Sequence, residues 1–241
     1  MTNIALILSG GAGLRAGTEI PKQYIEAGGR PVISYCIETF EALEEIDYIQ
    51  IVAEPEWYPF IEKELHHKPY GFSKPGKNRQ MSIFHGLTDL LPTAGDNTVV
   101  VIHDAARPRV SGKQILDCIG AVKGHDGAMP VLPMKDTVYL STDGQSVTSL
   151  LNRSQIYAGQ APECFLLKPY YEANRALLPE RILAINGSTE PAILAGMDIA
   201  LVKGEETNSK ITTEKDLKEF IGLIAALKDG RGRDRERIAK K

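Results

Sequence analysis

The chain reads as an α/β domain with a mostly parallel sheet flanked by helices, and three observations predict it. Short continuous apolar runs, suited to strands buried on both faces, alternate with segments whose apolar residues recur at helical spacing. A glycine-rich turn follows the first apolar run directly. The length of 241 residues, with 43% hydrophobic and 24% charged side chains, fits one large α/β domain or two small ones, with enough chain for a sizeable core. The same composition excludes a mostly disordered, collagenous or disulfide-scaffold protein.

Taken in order, Ile4–Leu8 is the first strand. Val32, Ile33, Cys36, Ile37 and Phe40 form a helical face, with Pro31 at its first turn. Tyr48–Ala53 is the second strand, and Met81, Phe84, Leu87 and Leu91 suit one side of a helix. Val99–Ile102 is a further buried strand, followed by a helix carrying Ile115, Leu116, Ile119 and Val122. Ala128–Leu132 reads as a strand in which Pro130 requires an edge or a bulge. Residues 136–151 break the rhythm: Asp143-Gly144 between Thr/Val/Tyr-rich flanks predicts a hairpin. Its flanks are only partly apolar, which suggests a projecting arm that needs a partner surface and so a homodimer; the plain alternative is a surface hairpin. Ile199–Val202 is a strand, and Thr213 with Asp216 caps a last helix bearing Leu217, Phe220, Ile224 and Leu227. With no repeat or linker, residues 1–229 form a single domain.

Residues 230–241 hold six of the 28 Lys/Arg and two of the 31 Asp/Glu. The remaining body carries 22 basic against 29 acidic residues, a net of −7, and the tail +4. A disordered, solvated tail is expected, with an anionic partner the lesser reading. The overall charge of −3 gives no reason to expect nucleic acid. Cys36, Cys118 and Cys164 lie far apart without zinc spacing, so a reduced interior and a cytoplasmic location are expected. The start, MTNIALILSGG, lacks a basic n-region, and no apolar stretch approaches the roughly 20 residues that span a bilayer.

Ser9-Gly-Gly-Ala-Gly-Leu-Arg15, continuing to Pro21-Lys22-Gln23, brings glycines and two cations to one turn. Glycines let backbone N–H groups approach a phosphate, and a purely structural turn has little use for the cations. Gly11–Ala16 formally satisfies the dinucleotide fingerprint. The acidic residue that should follow about 20 positions on is missing, and position 36 is a cysteine in a helix. Gly71–Asn78 mimics a P-loop, but Asn78 replaces its Ser/Thr and His66–Tyr70 before it is no strand. His103-Asp-Ala-Ala-Arg-Pro108 follows a strand end, where open α/β sheets bind ligands. Asp104 there suits Mg2+ on a triphosphate and Arg107 a second phosphate, against a turn cap and a surface cation. Gly76–Ser82 enters a helix with Arg79 and Ser82 available to an anion or a base edge. Asn152-Arg153-Ser154 with Tyr157–Pro162, and Asn208–Thr213 with Lys210, complete the set; for Arg153 and Lys210 the bland alternative is a solvated charge. His103 reads as structural.

Together, SGGAGLRAG, EIPKQY, GKNRQMS, HDAARP, NRS…GQAP and NSKITT resemble, in order and spacing, the cytidylyltransferases that load CMP onto polyol phosphates. The resemblance runs from about residue 3 to 226. It implies a nucleotide-binding α/β domain with a β-arm that dimerises, and CTP with Mg2+. Ser9, Gly10, Gly11, Arg15 and Lys22 would cradle CTP phosphates, with Arg15, Lys22 and Lys210 catalytic. Gly76, Arg79 and Ser82 would contact the cytidine part, and Asp104 the metal-bound triphosphate. Arg107, Arg153 and Thr189 would serve the acceptor, Arg153 across the dimer. Ala161-Pro162 stands where the methylerythritol members usually have Thr-Pro, and Thr189-Glu190-Pro191 where the family usually has Thr-Asp. HDAARP and EIPKQY lean toward 2-C-methyl-D-erythritol 4-phosphate as acceptor, whereas NRSQIYAGQ leans toward ribitol 5-phosphate. The rivals are a dinucleotide-dependent oxidoreductase, on GAGLRA alone, and a non-catalytic nucleotide-binding module.

Overall fold

In a computed structural model, the chain is described over residues 2–11 and 20–239, with side chains as far as residue 228. The elements, in order, are β1 (Asn3–Leu8), β2 (Glu26–Ala27), β3 (Arg30–Pro31), α1 (Val32–Glu41), β4 (Tyr48–Val52), α2 (Tyr58–Ile61) and β5 (Tyr70–Ser73). Next come α3 (Arg79–Leu90), β6 (Val99–Asp104), α4 (Gly112–Ala121), β7 (Gly127–Pro133), β8 (Tyr139–Leu140), β9 (Ser149–Leu150) and β10 (Tyr157–Gly159). The chain finishes with β11 (Glu163–Leu166), α5 (Leu167–Arg175), α6 (Glu190–Leu194), β12 (Ile199–Lys203) and α7 (Glu214–Ala239).

Among the described residues the main sheet has eight strands. β5, β4, β1 and β6 run parallel, β12 runs parallel to β7, and β11 joins β6 to β7 antiparallel. The apolar runs behave as doubly buried strands: Ala5, Leu6 and Ile7 of β1 and Val99–Ile102 of β6 have no exposure. One face packs α1 and α4 through Ile33, Ile37, Phe40 and Ile115. The other packs α3 and α5 through Ile83, Leu87, Leu167 and Tyr170. Each such side chain contributes roughly 1.5–3 kcal/mol by leaving water.

α1 buries the five residues that the spacing predicts. α3 is rotated by about one position: it buries Ile83, Leu87 and Leu90, while Met81 and Phe84 are half-buried and Phe84 stacks on Tyr171. β7 is not an edge strand. The Pro130 carbonyl accepts from Gln160 N at 2.8 Å, so its missing N–H faces the break between β10 and β11, the bulge that a proline requires. Of the segment before the P-loop match, residues 66–69 are not strand, as expected; β5 begins at Tyr70 and occupies the first residues of the match itself. Its loop nevertheless spends Asn78 as the helix cap rather than as a metal ligand. The Thr213–Asp216 capping box forms: Asp216 Oδ2 accepts from Thr213 N at 2.8 Å and Asp216 N donates to Thr213 Oγ1 at 3.2 Å. α7 then runs to Ala239, through residues expected to be a frayed tail; its Arg, Lys and Glu are competent helix formers.

The hairpin is present between β8 and β9, turned by Asp143. Asp143 Oδ1 accepts from Gln145 N and Ser146 N, both at 2.9 Å. Every residue from 139 to 150 is exposed. Tyr139, Leu140, Val147 and Leu150 are 43–66% accessible, so this arm does not cover itself.

Candidate nucleotide site

The site lies at the carboxyl ends of the parallel strands, where peptide register brings distant motifs together. Leu8 pairs with Asp104 across β1 and β6, so the glycine-rich turn begins beside the HDAARP segment. The residues after β1 are pinned from below. Ser9 N donates to Val52 O at 2.8 Å, and the Gln23 amide donates to the carbonyls of Ser9 and Gly11 at 2.7 and 2.9 Å. Tyr24 shares hydrogen bonds with Ser9, stacks on Trp57 at 4.1 Å and is pushed up to about 12 by burial, so it stays protonated. Gly10 lies so close to Pro75 that a Cβ would overlap the ring, which joins this turn to the loop before α3.

That loop is set by local capping. Asn78 accepts from Met81 N at 2.8 Å as the N-cap of α3. The Ser82 hydroxyl takes the Gly76 N–H at 3.0 Å and returns a bond to the Asn78 carbonyl at 3.0 Å. A Cβ at Gly76 would overlap Met81, so only glycine allows this fold-back.

Asp104 ends β6 and is buried. Its Oδ1 faces Arg79 Nε at 3.0 Å, and its Oδ2 faces Lys210 Nζ at 2.9 Å and Arg107 Nε at 3.6 Å. Burial alone would raise its carboxyl, but Arg79, Lys210 and Arg107 hold it well below the usual carboxylate range. Lys210 arrives from the segment before α7, whose Asn208 amide donates to Gln114 Oε1 at 2.7 Å and Ala161 O at 2.6 Å.

These elements enclose a cavity of about 580 Å³. Its walls include Gly10, Gly11, Lys22, Gly76, Arg79, Ser82, Asp104 and Lys210, joining four motifs that are up to 200 residues apart. Leu8, Gln23, Lys77, Asn78 and Ala106 complete the lining. Lys22 is 91% buried there, from a 3-10 turn at Lys22–Tyr24.

Other expected site residues stand differently. Arg15 lies outside the described residues. The Ser9 hydroxyl turns to Tyr24 rather than into the cavity. Arg107 is a brace: besides Asp104 it donates to Asn208 O at 2.7 Å. Arg153 is exposed at the foot of the arm, donating to Lys135 O at 2.7 Å, and does not reach the cavity within its own chain. Thr189 is buried behind the cavity wall, donating to Glu163 Oε1 at 3.2 Å. His103 is structural as expected: fully buried against Phe40, its ring is pushed down to about 4 by burial. Glu163 escaped the sequence reading, although a carboxylate opening the apolar run Glu-Cys-Phe-Leu was a visible signal.

Among the described residues, no three His, Cys, Asp or Glu side chains gather into a metal cage. A single carboxylate at the cavity edge fits a Mg2+ that shares phosphate oxygens, which needs only one or two carboxylates, and not a resident all-protein metal.

Comparison with known proteins agrees with this geometry. Residues 3–221 match the family model described as IspD, 2-C-methyl-D-erythritol 4-phosphate cytidylyltransferase. A 2-C-methyl-D-erythritol 4-phosphate cytidylyltransferase of Rubrobacter xylanophilus is 36% identical over 92% of this chain and 95% of that one. A ribitol-5-phosphate cytidylyltransferase of Streptococcus agalactiae is 32% identical over 94% of this chain and 96% of its own. The crystal structure of 4-diphosphocytidyl-2C-methyl-D-erythritol synthase from Anaerococcus prevotii superposes with a TM-score of 0.81 at 27% identity, covering 93% and 96% of the two chains. A chain whose glycine turn, capped α3 and Asp104 cluster converge in this way, and which matches over nearly its whole length, belongs to the 2-C-methyl-D-erythritol 4-phosphate cytidylyltransferase family.

Proposed function

We propose that this protein transfers CMP from CTP to a polyol phosphate with release of pyrophosphate, and that 2-C-methyl-D-erythritol 4-phosphate is the acceptor. One observation carries the reading: Lys22, Arg79, Asp104 and Lys210 share one cavity with two glycine-bearing turns. Gly10 and Gly11 lie against the triphosphate, with Ser9 held beneath them, and Arg15 follows them in the sequence. Gly76, Arg79 and Ser82 flank the cytidine part. Asp104 would hold the Mg2+ that accompanies CTP, and that ion would supply neutralisation of phosphate charge. Lys210, Arg107 and Arg79 compensate the buried Asp104 carboxylate.

The nucleophile is a phosphate oxygen of the acceptor, already an anion at neutral pH, so no general base is required. It attacks the α-phosphorus in line; the new P–O bond replaces the bond to the β-phosphate, and pyrophosphate leaves with the electron pair. The chain supplies positioning and cations, Arg15, Lys22 and Lys210, against the charge gathered in the transition state. Thr189, through Glu163, and Arg107, through Asp104 and Asn208, support the acceptor side from behind the cavity wall. Arg153 acts from the neighbouring copy, since the arm carries it away from its own cavity; the exposed Tyr139, Leu140, Val147 and Leu150 form the dimer contact. The three free, buried cysteines fit a reducing cytoplasm.

A second acceptor, ribitol 5-phosphate, is favoured by the similar identity to the S. agalactiae relative. Incubation with CTP, Mg2+ and each polyol phosphate, against a control without acceptor, decides between them. Acceptor-dependent pyrophosphate release with methylerythritol phosphate is expected. Release with ribitol phosphate alone replaces the acceptor, and release with neither removes the reading.

A further inference from the structure

Glu163 opens β11, an otherwise apolar strand, and is buried. A carboxylate taken out of water costs several kcal/mol unless its oxygens are satisfied. Here both are. Oε1 accepts from Thr189 Oγ1 at 3.2 Å, Oε2 accepts from the Ser188 hydroxyl, and Arg79 Nη2 lies 3.9 Å from Oε2. The Ser188 oxygen in turn accepts from Arg79 Nη1 at 2.8 Å, and the Ser188 carbonyl takes the Tyr170 hydroxyl at 2.6 Å. The hydrogen bonds therefore run in one direction, from guanidinium to serine to carboxylate.

Each nitrogen of the guanidinium faces a fixed partner: Nε has Asp104, Nη1 has Ser188 and Nη2 has Glu163. Such anchoring has a physical reason. Arg79 is the first residue of α3, at the helix end where the macrodipole disfavours a cation. Its nearer carboxylate, Asp104, is divided among Arg79, Arg107 and Lys210. Among these cations only Arg79 lies within ion-pair distance of Glu163, whose weaker, longer-range field also reaches Arg107.

We infer that Glu163 is a positioning residue for the proposed transfer: it holds Arg79 at the cavity wall and ties the Ser188–Thr189 segment to it. The nucleotide side and the acceptor side of the site thereby keep one spacing. The inference rests on the cytidylyl-transfer reading and adds a residue that does not itself line the cavity.

The test is steady-state pyrophosphate release by the full chain with CTP, Mg2+ and the active polyol phosphate. Glu163→Ala is expected to raise the KM for CTP at least about tenfold while kcat falls by less than about threefold. Glu163→Gln keeps the shape and one acceptor oxygen; it is expected to raise KM about threefold, and it serves if the alanine variant fails to fold. A residue that only supported the fold would lower the active fraction, and so kcat, at an unchanged KM. In an Arg79→Ala background, Glu163→Ala is expected to add nothing further to KM. An unchanged KM in both Glu163 variants, or additive effects with Arg79→Ala, overturns the inference alone. No pyrophosphate from the unsubstituted protein with any acceptor overturns the transfer reading and this inference with it.

Discussion

The cavity and the arm invert the usual distribution of side chains in opposite ways. Around Asp104 the protein draws a carboxylate and parts of three cations out of solvent, whereas along residues 139–150 it leaves Tyr139, Leu140, Val147 and Leu150 in water. Buried charges and clustered exposed apolar groups are both informative exceptions. Under the proposed function the first serves an anionic small molecule and the second a protein surface. The contrast teaches that the two regions are separate in chemistry, so that perturbing one is expected to leave the other largely intact.

The largest expected effect is at the cavity. Asp104→Ala leaves Arg79, Arg107 and Lys210 without their shared carboxylate, and breaking such a buried cluster costs about 3–5 kcal/mol. Urea unfolding measures this, and a loss below about 1 kcal/mol would mean that the cluster is already well solvated. Next is a pH effect on the same strand. His103 has its folded pKa pushed down to about 4 by burial, so between pH 6.5 and 4 the unfolded chain binds a proton that the folded one refuses. Its contribution is complete above pH 6.5 and is lost as pH falls toward 4, on the order of 3 kcal/mol in all. Stability measured against pH should show that slope, and His103→Gln should flatten it.

Smaller in energy but sharper for mechanism, Lys22→Ala and Arg15→Ala should each lower turnover by more than about tenfold, or 1.4 kcal/mol of barrier. Pyrophosphate release near the original rate in both would remove these cations from the chemistry. The smallest effect on monomer stability belongs to the arm. Leu150→Asp should change unfolding by no more than about 0.5 kcal/mol, because the side chain touches little of its own chain. In sedimentation the same variant should shift a dimer toward monomer. A sedimentation profile identical to that of the unsubstituted chain would reduce the arm to a surface hairpin.

Much of this was legible in the residues. β1, β6 and α1 announce themselves because continuous apolar runs and i, i+3, i+4 spacing follow directly from burial on two faces or one. The site motifs were legible because glycine, lysine and aspartate at strand ends have few structural uses. What stayed hidden depends on tertiary context. β5 was missed because Tyr70-Gly-Phe-Ser is only four residues long and contains glycine, and parallel pairing with β4 decides its state. The α3 face was misread by one position because Gln80 and Gly86, neither apolar, face inward. Gln80 is buried by its bonds to Tyr170 and Asn174. Ser9 and Arg107 carried plausible ligand chemistry, yet the fold uses them to brace the loop and Asp104. Such roles come from three-dimensional pairing that no local pattern encodes.

The central claim is that one cavity at the strand ends takes CTP by its phosphates. A crystal structure with CTP and Mg2+ tests it most directly. The account predicts the triphosphate against Gly10 and Gly11, within hydrogen-bonding distance of Lys22 and Lys210, with the metal on Asp104. A nucleotide seated elsewhere, with the Asp104 cluster unchanged and the cavity holding only water, would contradict it.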